Sequence, residues 1–132
     1  MATANGTFEV KMAPQKADHA AAEAAGLGRM SLDKRYFGAL EATGQGEMLS
    51  LLDREKGSGG YVAMERVTGK LEERKGTFVL QHDATMNRGA AEMRIRVVPD
   101  SGTGELEGIA GTMTIQLEGK QHYYYFEYTV GG

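Results

Sequence analysis

The sequence has no cysteine and no tryptophan, and only two of its 132 residues are proline. Without cysteine the chain can form no disulfide, thiolate nucleophile or thiolate metal site, which fits a reducing compartment. Its N-terminus lacks a basic stretch followed by an apolar one, so no secretory signal is visible. No apolar run approaches the roughly 20 residues that a membrane-spanning helix needs. We therefore expect a cytoplasmic protein without a membrane partner.

A basic surface is also missing, because the formal net charge is −3. Proteins that bind nucleic acid need clustered lysine and arginine, so no nucleic-acid partner is expected. The three histidines show no metal-ligand spacing, and neither a metal site nor a cofactor is predicted. The length suits one domain over residues 1–132.

Glycine is abundant, with 19 residues spaced between short apolar runs, as turn residues are in a β protein. Apolar and polar residues alternate within these runs, which is typical of half-buried strands. The alanine-rich residues 15–28 predict a loop or short helical insert, closed by Gly26 or Gly28. The eight predicted strands are Thr7–Met12, Met30–Thr43, Gly46–Leu52, Gly60–Thr68, Thr77–Met86, Ala91–Val98, Thr112–Leu117 and Tyr123–Val130.

A Gly-x-Leu-Glu motif recurs three times, beginning at Gly38, Gly69 and Gly104. The spacing of about two strands and two turns indicates one structural unit reused along an antiparallel meander. In each unit we expect the leucine to tuck under the sheet beside a tight connection. Because eight strands in an open sheet leave two edges exposed, we predict an all-β fold closed into an antiparallel barrel. A β-sandwich is the second choice.

Three segments carry a resemblance to a known family: Glu65–Gly69, Gly76–His82 and Val97–Leu106. With the tyrosine-rich last strand, they make the chain similar to domain-of-unknown-function family 3224 from Gly6 to Tyr128. The resemblance implies an allene oxide cyclase-like, calycin-like barrel that often self-associates and has an axial cavity. It implies no reaction, because a fold does not determine a function.

Alternation also assigns the faces of the strands. His82 shares an apolar row with Phe78 and Leu80. Both faces of the strand that carries Glu65 are half apolar, so its direction is ambiguous, but the row with Ala63 and Val67 favours an inward Glu65. A buried carboxylate within diagonal reach of an imidazole could perform acid–base catalysis, so Glu65 and His82 are the candidate catalytic pair. The alternative is that the two groups only satisfy each other inside the barrel.

The leading hypothesis is that the barrel binds a small, largely apolar ligand in its axial cavity. One alternative is an isomerase or cyclase that uses the interior Glu/His pair; another is a structural or interaction barrel with a solid core. Whether the chain is an enzyme stays open. Val62 and Met64, if outward, would form a dimer contact on the barrel wall. The residues predicted to contact a ligand are Tyr36, Gln81, Met93, Tyr124, Phe126 and Tyr128.

Overall fold

A computed structural model describes residues 1–131, and within them eight strands form a closed antiparallel barrel. Each strand pairs with the next, and β1 pairs with β8 to close the ring. The predicted fold class is confirmed, and the sandwich is excluded. The elements are β1 (Ala2–Pro14), α1 (Ala20–Ala25), β2 (Gly28–Gly38), β3 (Leu40–Asp53), β4 (Ser58–Leu71), β5 (Arg74–Asn87), β6 (Ala90–Val97), a 3₁₀ turn (Gly104–Leu106), β7 (Ala110–Glu118) and β8 (Gln121–Thr129).

The predicted boundary between the second and third strands is wrong, and the first strand begins at Ala2, five residues before the predicted Thr7. The chain turns at Gly38, whose φ of 106° is in the region that favours glycine, and not after Thr43. Gly44, which falls between the two predicted strands, and Gly46, the predicted start of the third, both lie inside β3. The inner face of Gly44 lies against the Glu65 carboxylate and the Tyr36 ring, so this glycine provides space instead of a turn.

The leucines of the repeated motif close one end of the barrel. Leu40, Leu71 and Leu106 are each at most 1% exposed and belong to the same apolar core, which confirms that they tuck under the sheet. The surrounding backbones differ, because Gly38 lies at a turn whereas Gly69 lies inside β4. The motif therefore marks three packing positions at the same end of the barrel. It does not repeat one local structure.

At the opposite end the inward-facing Met86, Met93 and Leu117 are 42%, 48% and 59% exposed, and we call it the open end. The wall there is weakest between β6 and β7. These two strands share only two residue pairs, Ile95 with Met113 and Arg96 with Thr112. Eight pairs join β5 to β6, and nine join β7 to β8. Beyond Ile95, toward the open end, β6 and β7 therefore separate. We call this gap the β6–β7 seam.

The alanine-rich insert forms the short helix α1, as one of the two predicted alternatives stated. Nδ1 of His19 accepts a hydrogen bond from the Ala22 amide at the start, and Gly26 ends the helix with a φ of 63°. No residue of α1 is buried. Arg29 holds the preceding chain by donating to the Asp18 carboxylate and the Lys16 carbonyl. Among residues 1–131, no helix has the length and apolar character to cross a membrane.

Candidate functional site

The candidate site lies inside the barrel, where strand alternation turns four polar side chains inward. Ala63, Glu65 and Val67 are at most 4% exposed, whereas Val62 and Met64 are at least half exposed. The prediction that Glu65 points inward is therefore confirmed. His82 is 3% exposed and lies on the same inner face of β5 as Leu80, also as predicted.

The Glu65 carboxylate is the centre of the cluster, and three side chains converge on it. Nε2 of His82 lies 2.7 Å from Oε1 of Glu65, and Nζ of Lys34 donates to the same oxygen at 2.8 Å. The Tyr36 hydroxyl donates to Oε2 at 2.8 Å. A buried carboxylate is tolerated only when its oxygens are hydrogen-bonded and its charge is offset, and this arrangement provides both.

The position of Glu65 determines its ionisation. Burial by itself raises the pKa of a carboxyl group, but the His82 hydrogen bond and the Lys34 charge outweigh burial and lower the pKa of Glu65 to about 2. Burial, followed by the charge of Glu65, raises the pKa of Tyr36 well above its usual value. Glu65 is thus ionised at neutral pH, and Tyr36 keeps the proton that it donates.

Lys34 was missed by the sequence analysis, although its row gives a signal. It alternates with Leu32 and Tyr36 on the inner face of β2, and it is only 7% exposed. Its ammonium lies 5.2 Å from the centre of the Phe8 ring, a distance at which an aromatic face attracts a cation. A lysine between two inward apolar or aromatic residues is the pattern that predicts a buried carboxylate opposite it.

Of the predicted ligand contacts, Tyr36 joins the cluster, and three aromatic residues pack the closed half. The Tyr124 hydroxyl accepts from the Leu40 amide and donates to the Phe37 carbonyl, and that of Tyr128 donates to Glu72. The Phe126 ring stacks on Phe78 with 5.7 Å between ring centres. These side chains pack the core at the closed end of the barrel, and their hydroxyl groups are occupied by hydrogen bonds within the protein.

The other two predicted ligand contacts behave differently. Gln81 lies between the buried residues Leu80 and His82, so alternation turns its exposed side chain outward. The prediction that Gln81 contacts a ligand in the barrel cavity is therefore wrong. Met93 lies on the inner row with Ile95 and Val97, but near the open end, where 48% of it is exposed.

A cavity of about 840 Å³ lies outside the barrel, between residues 15–27, which we call the α1 segment, and the outer wall of β3, β4 and β5. Its lining includes Gln81 and the outward residues Val62 and Met64. No group of three or more carboxylate or imidazole side chains within residues 1–131 is arranged to hold a metal ion.

The fold and the site define a class: an eight-stranded meander barrel, packed at one end, with a hydrogen-bonded Lys–Glu–His–Tyr cluster in its interior. Residues 4–128 match the model of the family described as "Protein of unknown function (DUF3224)". The chain belongs to that family.

One solved structure is similar over the whole chain. It is the crystal structure of a DUF3224-family protein of unknown function from Shewanella oneidensis, with 47% sequence identity and a TM-score of 0.91. The similarity covers 100% of this chain and 98% of that one. A search among curated proteins finds no match to this chain.

Proposed function

We propose that this protein binds a small, largely apolar molecule inside the open end of its barrel. The observation that carries the proposal is a set of inward-facing apolar side chains that are not fully buried. Methionine side chains are flexible and polarisable, and they suit a site that adapts to varied apolar shapes. The inner rows near the open end contain Met12, Met30, Met48, Met86 and Met93, each of which is partly or substantially exposed.

The buried cluster supplies a polar floor for such a site. Toward the open end the inner row of β2 continues from Lys34 to Met30 and that of β5 from His82 to Met86, whereas the row of Glu65 continues to Tyr61. A ligand seated among the methionines would therefore lie above the cluster. The cluster combines a carboxylate with an ammonium, and a few polar groups at the base of an apolar pocket orient its ligand. A ligand with an apolar body and one hydrogen-bonding group matches this arrangement.

The β6–β7 seam supports the same proposal, because it offers a lateral path to the interior. Met93 lies beside the seam on β6, and Leu117, at the open end of β7, is 59% exposed. A ligand can pass there without breaking the ladder hydrogen bonds that hold the other strand pairs.

Met93 and Tyr125 provide a matched test of the proposed site. They are 48% and 42% exposed, but Met93 lies on the inner row of β6, whereas Tyr125 lies on the outer row of β8. With the neutral fluorescent probe N-phenyl-1-naphthylamine, we expect Met93→Glu to weaken binding at least tenfold and Tyr125→Glu to change it less than twofold. The reverse ranking, or no binding by the unmodified protein, would contradict the proposal. Native mass spectrometry of freshly purified protein adds a direct search for a retained small molecule.

Proton transfer is a second candidate function, favoured by the 2.7 Å contact between Glu65 and His82. Because the carboxylate stays ionised, His82 would carry the proton and Glu65 would orient its ring, as the acid of a catalytic triad does. Within residues 1–131, Nδ1 of His82 forms no hydrogen bond, which leaves that nitrogen for a substrate. The Nδ1 atom would remove a proton from the carbon between the carbonyl group and the double bond, and the resulting imidazolium would return it to the far end of the dienolate.

A simple ketone tests that chemistry. Isomerisation of 3-cyclohexenone to the conjugated 2-cyclohexenone moves one proton and one double bond, and it is followed by ultraviolet absorbance. We expect the unmodified protein to accelerate the reaction over buffer and His82→Asn to lose the acceleration. Equal rates with the two proteins would count against proton transfer by His82.

A further inference from the structure

A second candidate site lies on the outside of the barrel, on the other face of the wall that carries the interior cluster, and residues of that wall, His82 among them, line it. The cavity of about 840 Å³ between the α1 segment and the wall is within the size range of small-molecule pockets. We call it the outer groove. Its apolar lining comes from Leu49, Val62 and Met64 on the wall and, on the α1 segment, from Leu27 and four alanines, Ala17, Ala21, Ala22 and Ala25.

The two sides of the outer groove do not fill the space between them. Leu49, Val62 and Met64 are 43%, 54% and 50% exposed although the α1 segment passes in front of them. The facing alanines end at Cβ and cannot cross the gap, and no residue of α1 is buried. Leu27, the one large apolar residue on the α1 side, is itself 44% exposed. An apolar wall left partly exposed in this way is suited to hold an apolar molecule.

The charged residues around the outer groove indicate which charge its ligand would carry. Its one arginine, Arg29, is already neutralised, because it pairs with Asp18 at 3.1 Å and with Glu47 at 3.0 Å. Asp83 also lines the groove, and it forms none of the salt bridges found within residues 1–131. Arg94 is opposite Asp83 across β5 and β6, but no ion pair joins them, and Arg94 lines a neighbouring depression.

An uncompensated carboxylate beside an apolar wall attracts a cation that has an apolar body. We propose that the outer groove binds a small organic cation of this class, with its apolar body between Val62, Met64 and the α1 alanines and its ammonium group at Asp83. Gln81 lies two residues from Asp83 on the same outer face of β5, and its amide oxygen offers the ammonium a second acceptor.

Dansylcadaverine is a suitable probe because it joins a naphthalene ring to a protonated alkylamine and its fluorescence responds to burial. Its N-acetylated form is the matched control, with the same body and no charge. We expect the amine to bind at least tenfold more tightly than the acetylated form. In Asp83→Asn that difference should disappear. Glu9→Gln, which removes one negative charge from the outer face of β1, should preserve it.

A pair of helix variants tests the location. Ala22 lines the outer groove, whereas Ala24 belongs to the same helix and does not line it. Ala22→Phe should fill the space and weaken binding of the amine at least tenfold, whereas Ala24→Phe should change it less than threefold. Equal affinity for the two probe forms, or equal effects of the two variants, would overturn the proposal.

A second copy of this chain is the competing occupant, since Val62 and Met64 would also suit a dimer contact. Analytical ultracentrifugation with and without the amine distinguishes the two cases. The proposal expects the same mass in both samples. A dimer that Ala22→Phe or Met64→Glu dissociates, and that the amine does not enter, would assign the groove to self-association and overturn the proposal.

Discussion

Gly44 has no side chain at the position where the Glu65 carboxylate needs space. A Cβ on Gly44 would collide with Oε2 of Glu65 and would lie 3.3 Å from a ring carbon of Tyr36. Gly44 pairs with Lys34 on β2 and lies beside β4, so it forms the gap in β3 across which Lys34 reaches Glu65. The cluster therefore depends on a residue that contributes no functional group.

This relationship predicts the effect of filling the gap. Gly44→Ala should lower the free energy of unfolding by about 1–3 kcal/mol, because the methyl group must displace a carboxylate that three partners hold. Urea denaturation measures the change. Gly60→Ala is the control, since its Cβ would meet no atom closer than 3.3 Å, and we expect a loss below about 1 kcal/mol. Equal losses would mean that the Glu65 carboxylate moves aside at little cost.

The buried ion pair predicts a rescue experiment. Glu65→Gln removes the charge that offsets the Lys34 ammonium, and an unpaired buried charge costs about 3–5 kcal/mol. Combining it with Lys34→Met removes both charges, so the double variant should recover at least half of the lost stability in the same urea experiment. A double variant that is less stable than Glu65→Gln alone would contradict this account of the pair.

The low pKa of Glu65 predicts a stability loss in acid. The folded state holds this pKa at about 2, whereas the ordinary value is 4.5, so folding is favoured where Glu65 is ionised. The contribution of about 3 kcal/mol is complete above pH 4.5 and is lost as pH falls toward 2. The double variant Lys34→Met/Glu65→Gln lacks this contribution. Its unfolding free energy should therefore fall less than that of the unmodified protein between these two pH values.

The aromatic stack at the closed end predicts a large cavity effect. Phe78 is completely buried, and its ring stacks on Phe126, so Phe78→Ala should cost about 3–5 kcal/mol. Phe37→Ala removes an equal ring that is 40% exposed, and it should cost clearly less. Thermal or urea unfolding of the two variants makes the comparison. A loss below about 1 kcal/mol for Phe78→Ala would mean that the core repacks around the gap.

The β6–β7 seam predicts a local pattern of hydrogen exchange. Residues 90–94 of β6 and 114–118 of β7 pair with their outer neighbours but not with each other. Amides that point into the seam lack ladder hydrogen bonds, so they should exchange faster than amides joining β4 to β5. Exchange followed by NMR resolves these amides. Uniform protection around the barrel would show that the seam stays closed in solution.

The alternation of apolar and polar residues predicted the strands and which side chains share a face, whereas closure into a barrel was predicted from the cost of two exposed edges and from the family resemblance. His82 shares a clearly apolar row, but both rows of the strand that carries Glu65 are half apolar, and burial in the folded barrel decides that the row of Glu65 is the inner one. The contact between Glu65 and His82 followed from the hairpin that joins β4 and β5, because adjacent strands in a hairpin have a predictable register. The boundary at Gly38 did not follow, since the sequence alone does not distinguish a glycine at a turn from one that provides space inside a strand.

Only the tertiary structure brought Lys34 and Tyr36 to Glu65. Lys34 and Tyr36 lie on β2, and Glu65 lies on β4, which is not adjacent to β2. Their side chains meet because the closed barrel curves around the gap at Gly44. The β6–β7 seam and the outer groove likewise depend on how the strands spread and where the α1 segment lies. By itself the sequence determined which side chains share a face, because that is a local property of a strand. Contacts across non-adjacent strands required the closed structure, because curvature and clearance belong to the whole barrel.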